Sequence, residues 1–82
     1  MSPNDVKLRN LLVEILLIDD NQFRDENGPD MIETWDSLAM VRIATGVEEI
    51  FGYSMTPEEM VSLYSIGDIK AILRSHDIAF DQ

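Results

Sequence analysis

The sequence predicts an all-α fold of four helices, three longer ones and a short third, with a long loop after the first. Three observations predict it. Apolar residues recur at helical spacing in the first, second and last segments. Four strings carry N-terminal capping chemistry: Ser2-Pro3, Asp36-Ser37, Thr56-Pro57-Glu58-Glu59 and Ser65 with Asp68. No stretch sustains the alternation of a half-buried strand.

The first helix is expected from about Pro3 to Ile18. Ser2 can cap it, Pro3 suits the first helical position, and Asp5 sits where a capping-box acid belongs. Leu8, Leu11, Leu12 and Ile15 share one face, flanked by Leu16 and Ile18. From Asp19 to Trp35 no period persists, and Asn27-Gly28-Pro29-Asp30 is turn chemistry. A loop this long in a small domain needs pins, and Phe23, Met31, Ile32 and Trp35 are the candidates. Its acids, Asp19, Asp20, Asp25, Glu26, Asp30 and Glu33, do not fit an EF-hand. Setting Gly28 at position six puts Phe23 at one and Thr34 at twelve. They read as a solvated loop.

The second helix is expected from Asp36-Ser37 to Phe51-Gly52, capped by Asp36 and closed by Gly52. Thr56-Pro57-Glu58-Glu59 opens a short third helix ending near Leu63. The fourth runs from Ser65 to Ser75 or His76, with Ile66, Ile69, Ile72 and Leu73 as its apolar arc. His76 projects onto that arc.

Composition narrows the function. The chain has 82 residues and reads as one domain, 1–82. It holds 16 Asp plus Glu against 6 Lys plus Arg, a net charge of -10. That balance disfavours nucleic acid and anionic membranes and favours basic protein partners. There is no Cys and one His, so thiolate chemistry and multi-histidine metal sites are excluded. The N-terminal residues lack a basic signal-peptide region, and the longest apolar runs, 15–18 and 38–41, are too short to span a bilayer. A cytoplasmic protein without catalytic or metal-binding residues of its own is expected.

The second helix carries the most information. Met40, Ile43, Val47, Ile50 and Phe51 form a core stripe about 100° wide. Opposite it lie Leu38, Val41, Arg42, Thr45, Glu48 and Glu49. Two apolar side chains ringed by charge make a docking surface, unless the long loop folds over them. Ser37, at the rim of this face, begins the helix. Unpaired N–H groups and the positive dipole end there favour an attached phosphate. The single histidine, His76, is some forty residues away, so Ser37 reads as a residue that another enzyme modifies or simply as a helix-start serine.

Thr34-Trp35-Asp36-Ser37-Leu38 resembles the Asp-Ser-Leu attachment motif of acyl carrier proteins. Val47-Glu48-Glu49-Ile50-Phe51-Gly52, Met55-Thr56-Pro57-Glu58-Glu59 and Ser65-Ile66-Gly67-Asp68-Ile69 are similar to later segments of that family, and the likeness spans essentially the whole chain. The resemblance implies a four-helix carrier bundle. It implies a 4′-phosphopantetheine arm on Ser37, attached by a phosphopantetheinyl transferase that recognises Asp36. It implies acyl cargo held as a thioester, so that the working sulfur arrives with the cofactor. Partners would be an acyl-loading ligase or transferase, a synthase and modifying enzymes with basic docking patches. They would meet Leu38, Val41, Arg42, Thr45, Glu48 and Glu49 on a monomeric carrier.

The chain departs from the family at Ala39 and Arg42, where fatty acid synthesis carriers are acidic, and at Thr45, where an apolar residue is common. These departures imply a specialised carrier for a fatty acid-like, polyketide or other secondary pathway. The absence of Gly-Gly before His/Asp-Ser argues against an aminoacyl or peptidyl carrier. The alternatives are an aminoacyl or peptidyl carrier and a helical interaction module without cofactor. Trp35 is expected to anchor the loop.

Overall fold

The computed structural model describes residues 2–80 and places four α-helices in them. They are α1 (Pro3–Leu16), α2 (Ser37–Phe51), α3 (Pro57–Val61) and α4 (Ile66–Arg74), with a one-turn 3-10 helix over Asp20–Gln22 in the long loop. No strand occurs among the described residues. The all-α expectation holds, with three longer helices and a short third.

Each helix starts where a side chain takes over an orphan backbone donor. Ser2 Oγ accepts from Asp5 N at 3.2 Å, and Ser65 Oγ from Asp68 N at 3.1 Å. Thr56 Oγ1 accepts from Glu59 N at 3.1 Å while Glu59 Oε1 accepts from Thr56 N at 2.9 Å, a complete capping box. Glu59 also accepts from Tyr53 Oη at 2.5 Å. That bond first, and the Thr56 N–H second, hold the Glu59 carboxyl below its ordinary range. A carboxylate lowered by folding adds stability above its unfolded pKa, lost as pH falls through the folded one. Glu59→Gln keeps both cap bonds and removes the titration. Acid unfolding followed by circular dichroism should then show a shallower loss of stability below about pH 4.5. An unchanged profile would contradict this.

Helix ends differ from expectation by up to two residues. α1 stops at Leu16 rather than Ile18, because Leu17 turns left-handed (φ 56°) and Thr34 Oγ1 donates to the Leu16 carbonyl at 2.5 Å. α3 ends at Val61, two residues before Leu63, and α4 at Arg74. α2 ends as expected at Gly52, with φ 75°.

The core faces are rotated from the predicted stripes. α1 buries Leu8, Leu12 and Leu16 completely, while Leu11 and Ile15 are half-buried. α2 buries Ala39, Ile43, Gly46 and Val47; Met40 is half-buried and Ile50 exposed. The loop pins Phe23, Ile32 and Trp35 belong to the same core cluster as Ala39. Met31, expected among those pins, is 68% exposed. His76 is exposed rather than on the α4 arc, its ring stacked on Tyr53 at 4.0 Å between centroids.

The loop is latched to the start of α4 by its backbone. Ile66 N donates to Asn27 O at 2.8 Å and Gly67 N to Asp25 O at 3.0 Å, so loop carbonyls satisfy two first-turn donors. The Asp25 side chain is no freely solvated acid. Its Oδ1 accepts from Lys70 Nζ at 2.7 Å, and the same ammonium lies 3.4 Å from Asp5 Oδ1. Both Lys70 and Asp5 are buried. No helix among the described residues is long and apolar enough to cross a membrane.

Candidate functional site

Asp36 holds extended backbone, and its Oδ1 accepts from Ala39 N at 2.9 Å. This cap sets Ser37 as the first helical residue, exposed, at the positive end of α2. The Ser37 hydroxyl makes no hydrogen bond among the described residues. The backbone N–H groups of Ser37 and Leu38 likewise have no partner there, because the cap takes Ala39 N and the Asp36 carbonyl takes Met40 N. One free hydroxyl and two open N–H donors therefore share the helix start.

A pocket of about 200 Å³ opens beside Ser37. Its walls are Met40 and Val41 of α2 and Pro57, Met60 and Val61 of α3. All five are apolar, so the pocket offers a dry surface next to a polar attachment point. The α3 residues were not singled out from sequence. Their spacing, i, i+3 and i+4, was the available signal for one face of a turn of helix.

The predicted partner residues are all exposed, and the long loop leaves Leu38 and Val41 uncovered, at 60% and 56% exposure. They do not form one face. Val41 is a ridge between two concavities. On one side lies the Ser37 pocket. On the other, Arg42, Thr45 and Glu49 line a groove of about 400 Å³ between α1 and α2. Thr45 Oγ1 is occupied by the Val41 carbonyl at 3.0 Å, and Glu48 accepts from Ser54 Oγ at 2.6 Å. Ala39 belongs to neither concavity. It is 5% exposed and packed in the core, so the charge missing there is missing from the interior, not from a docking face.

A scan against protein-family models finds no match to this chain, and a search of curated proteins finds none either.

No group of three or more His, Asp or Glu side chains among the described residues could hold a metal ion. His76, the single imidazole, stacks on Tyr53, and neither ring lines the Ser37 pocket. The other side chains lining that pocket, Met40, Val41, Pro57, Met60 and Val61, include no general base. Trp35, immediately before the cap, is buried and holds the end of the loop as expected.

Proposed function

We propose that this chain is an acyl carrier protein, active after Ser37 receives a 4′-phosphopantetheine arm, and that it serves a specialised pathway. The observation that carries this reading is the exposed Ser37 at a helix start, beside an apolar pocket and an uncovered Leu38–Val41 ridge. The residues present fit such an arm. The free hydroxyl offers the point of attachment, the two open N–H donors and the helix dipole favour a phosphodiester, and the pocket walls offer apolar contact. When attached, the arm supplies a thiol that carries acyl groups as thioesters.

The chain's own residues bind and orient. Asp36 fixes the start of α2 and so the direction in which Ser37 faces solvent. Leu38 and Val41 offer contact area, and Glu48 and Glu49, with the acids of the loop and α3, attract basic partner surfaces. Arg42 interrupts that field, which supports a dedicated partner over a generic one. Modification by a phosphopantetheinyl transferase, and loading by a ligase or transferase ahead of a synthase, follow from this reading. The all-helical fold with a short third helix supports the carrier-bundle arrangement.

Intact-mass measurement tests it. Incubation with coenzyme A, Mg²⁺ and a broad-specificity phosphopantetheinyl transferase should add one phosphopantetheine mass, and Ser37→Ala should abolish the gain. Ser37 is exposed, so the alanine variant should keep the wild-type circular dichroism spectrum. No mass gain with several transferases would favour a cofactor-free interaction module.

A further inference from the structure

The pocket beside Ser37 has a size that selects among acyl groups. It encloses about 200 Å³. At about 30 Å³ per carbon, the share of a water-sized group, that space takes about six carbons. The interior behind it is filled. Met40 and Met60 pack against the core cluster, in which Ile43, Val47, Leu63 and Ile66 are 0–1% exposed. A longer chain would have to displace those side chains, which costs stability. The thioethers of Met40 and Met60 can change rotamer and mould the walls to a chain without opening that interior.

The walls also set a polarity. Ser37 carries the one hydroxyl among the side chains that line the pocket, and attachment of the arm consumes it. Met40, Val41, Pro57, Met60 and Val61 then offer no side-chain donor and no charge. A hydroxyl, ketone, amine or carboxylate on the buried carbons would give up water without gaining a side-chain donor there. The same cost keeps the arm's own amides in solvent. Val41 and Val61, 56% and 70% exposed, are apolar walls that a hydrocarbon chain would cover.

We infer, resting on the carrier reading, that the cargo is an acyl chain of up to about six carbons without polar substituents, seated between α2 and α3. Aminoacyl groups and chains with a free carboxylate are disfavoured by the same walls.

Acetyl-, butanoyl-, hexanoyl-, decanoyl- and 3-hydroxyhexanoyl-coenzyme A supply the probes. A broad-specificity phosphopantetheinyl transferase moves each acyl-phosphopantetheine whole onto Ser37, and intact mass reports the attachment. A missing mass gain removes the carrier reading and the cargo class together. Where the mass is gained, thermal midpoints and amide resonances judge the cargo class alone. The midpoint should rise by about 2 °C per added carbon up to hexanoyl. Met40, Val41, Met60 and Val61 should shift with it. Decanoyl should add nothing more, and 3-hydroxyhexanoyl should fall back toward acetyl. Val61→Asp should flatten the series. The short-chain assignment is overturned by a flat wild-type series or by a hydroxylated chain as stabilising as hexanoyl. It is equally overturned by a rise that survives Val61→Asp, or by one that continues to decanoyl with shifts at Ile43, Val47 and Leu63.

Discussion

Gly28→Ala should lower the thermal midpoint by more than about 12 °C, or prevent folding altogether. The added Cβ would fall 1.8 Å from the carbonyl oxygen of Tyr64 and 3.0 Å from Ser65 Cα. Both are backbone, so no side-chain rotamer relieves the clash. The loop would have to lift from the α3–α4 connection and give up the Ile66–Asn27 and Gly67–Asp25 hydrogen bonds that cap α4. Overpacking of this kind costs about 3 kcal/mol or more, and each kcal/mol moves the midpoint of a domain this size by about 4–8 °C. Gly52→Ala is the control. Gly52 also ends a structural element, but nothing lies within 4 Å of its added Cβ, and only its φ of 75° is strained. That substitution should cost about 1 kcal/mol, with Gly52→Asn milder still. Equal effects at the two glycines, read by differential scanning calorimetry, would show that the close approach at Gly28 is not the cause.

Lys70→Met should destabilise the fold by about 3–5 kcal/mol. The ammonium lies 2.7 Å from Asp25 Oδ1, 3.4 Å from Asp5 Oδ1 and 4.8 Å from the centre of the Phe23 ring. Asp25 is partly exposed and can turn to water. The Asp5 side chain, 3% exposed, cannot, and its buried carboxylate would lose the ammonium 3.4 Å away. The double variant Lys70→Met with Asp5→Leu should recover most of the loss, because it removes both charges and leaves apolar volume. Recovery should fall short by about 1 kcal/mol, since Ser2 Oγ donates to Asp5 Oδ2 and an acid in the first turn suits the helix dipole. Urea titrations of the wild type, Lys70→Met, Asp5→Leu and the double variant measure this coupling. A single variant within 1 kcal/mol of wild type, or a double variant worse than the single, would contradict it.

The local signals and the tertiary outcome part company at identifiable residues. Asp36, Thr56, Ser65 and Gly52 act through neighbours three or four positions away, and they mark in sequence what they mark in space. Ser37 was legible for the same reason, because the start of a helix is a local event. The periodicity of α1 and α2 located amphipathic helices but not which arc is innermost. Leu11 and Leu12 are equally apolar, yet Leu12 is fully buried and Leu11 borders the groove. The family resemblance matches Ala39 to an acidic docking position, but the residue is core, in the same cluster as loop residues Ile32 and Trp35. A wheel describes one helix alone and carries nothing about what a distant loop will cover.

The same division governs the candidate site. Leu38 and Val41 were readable as apolar residues on a charged face, but their exposure depended on where the loop went. Pro57, Met60 and Val61 complete the Ser37 pocket from a different helix, and Leu11, Glu14 and Ile15 complete the groove from a third. Nothing in the spacing along the chain brings those sets together.

The sequence by itself determined four helices, their capped starts, an acidic and cysteine-free chemistry, and a serine at the positive end of a helix. These follow from side chains acting on backbone within a turn or so, and from composition, which no folding changes. Only the tertiary structure decided that Lys70 is a buried clamp, that Gly28 is a point of backbone contact, and that the face around Ser37 is split by Val41. Each of those depends on residues distant along the chain meeting in space, such as Asp25 and Lys70, 45 positions apart. Such meetings are settled by packing the whole chain at once, not by any stretch of it.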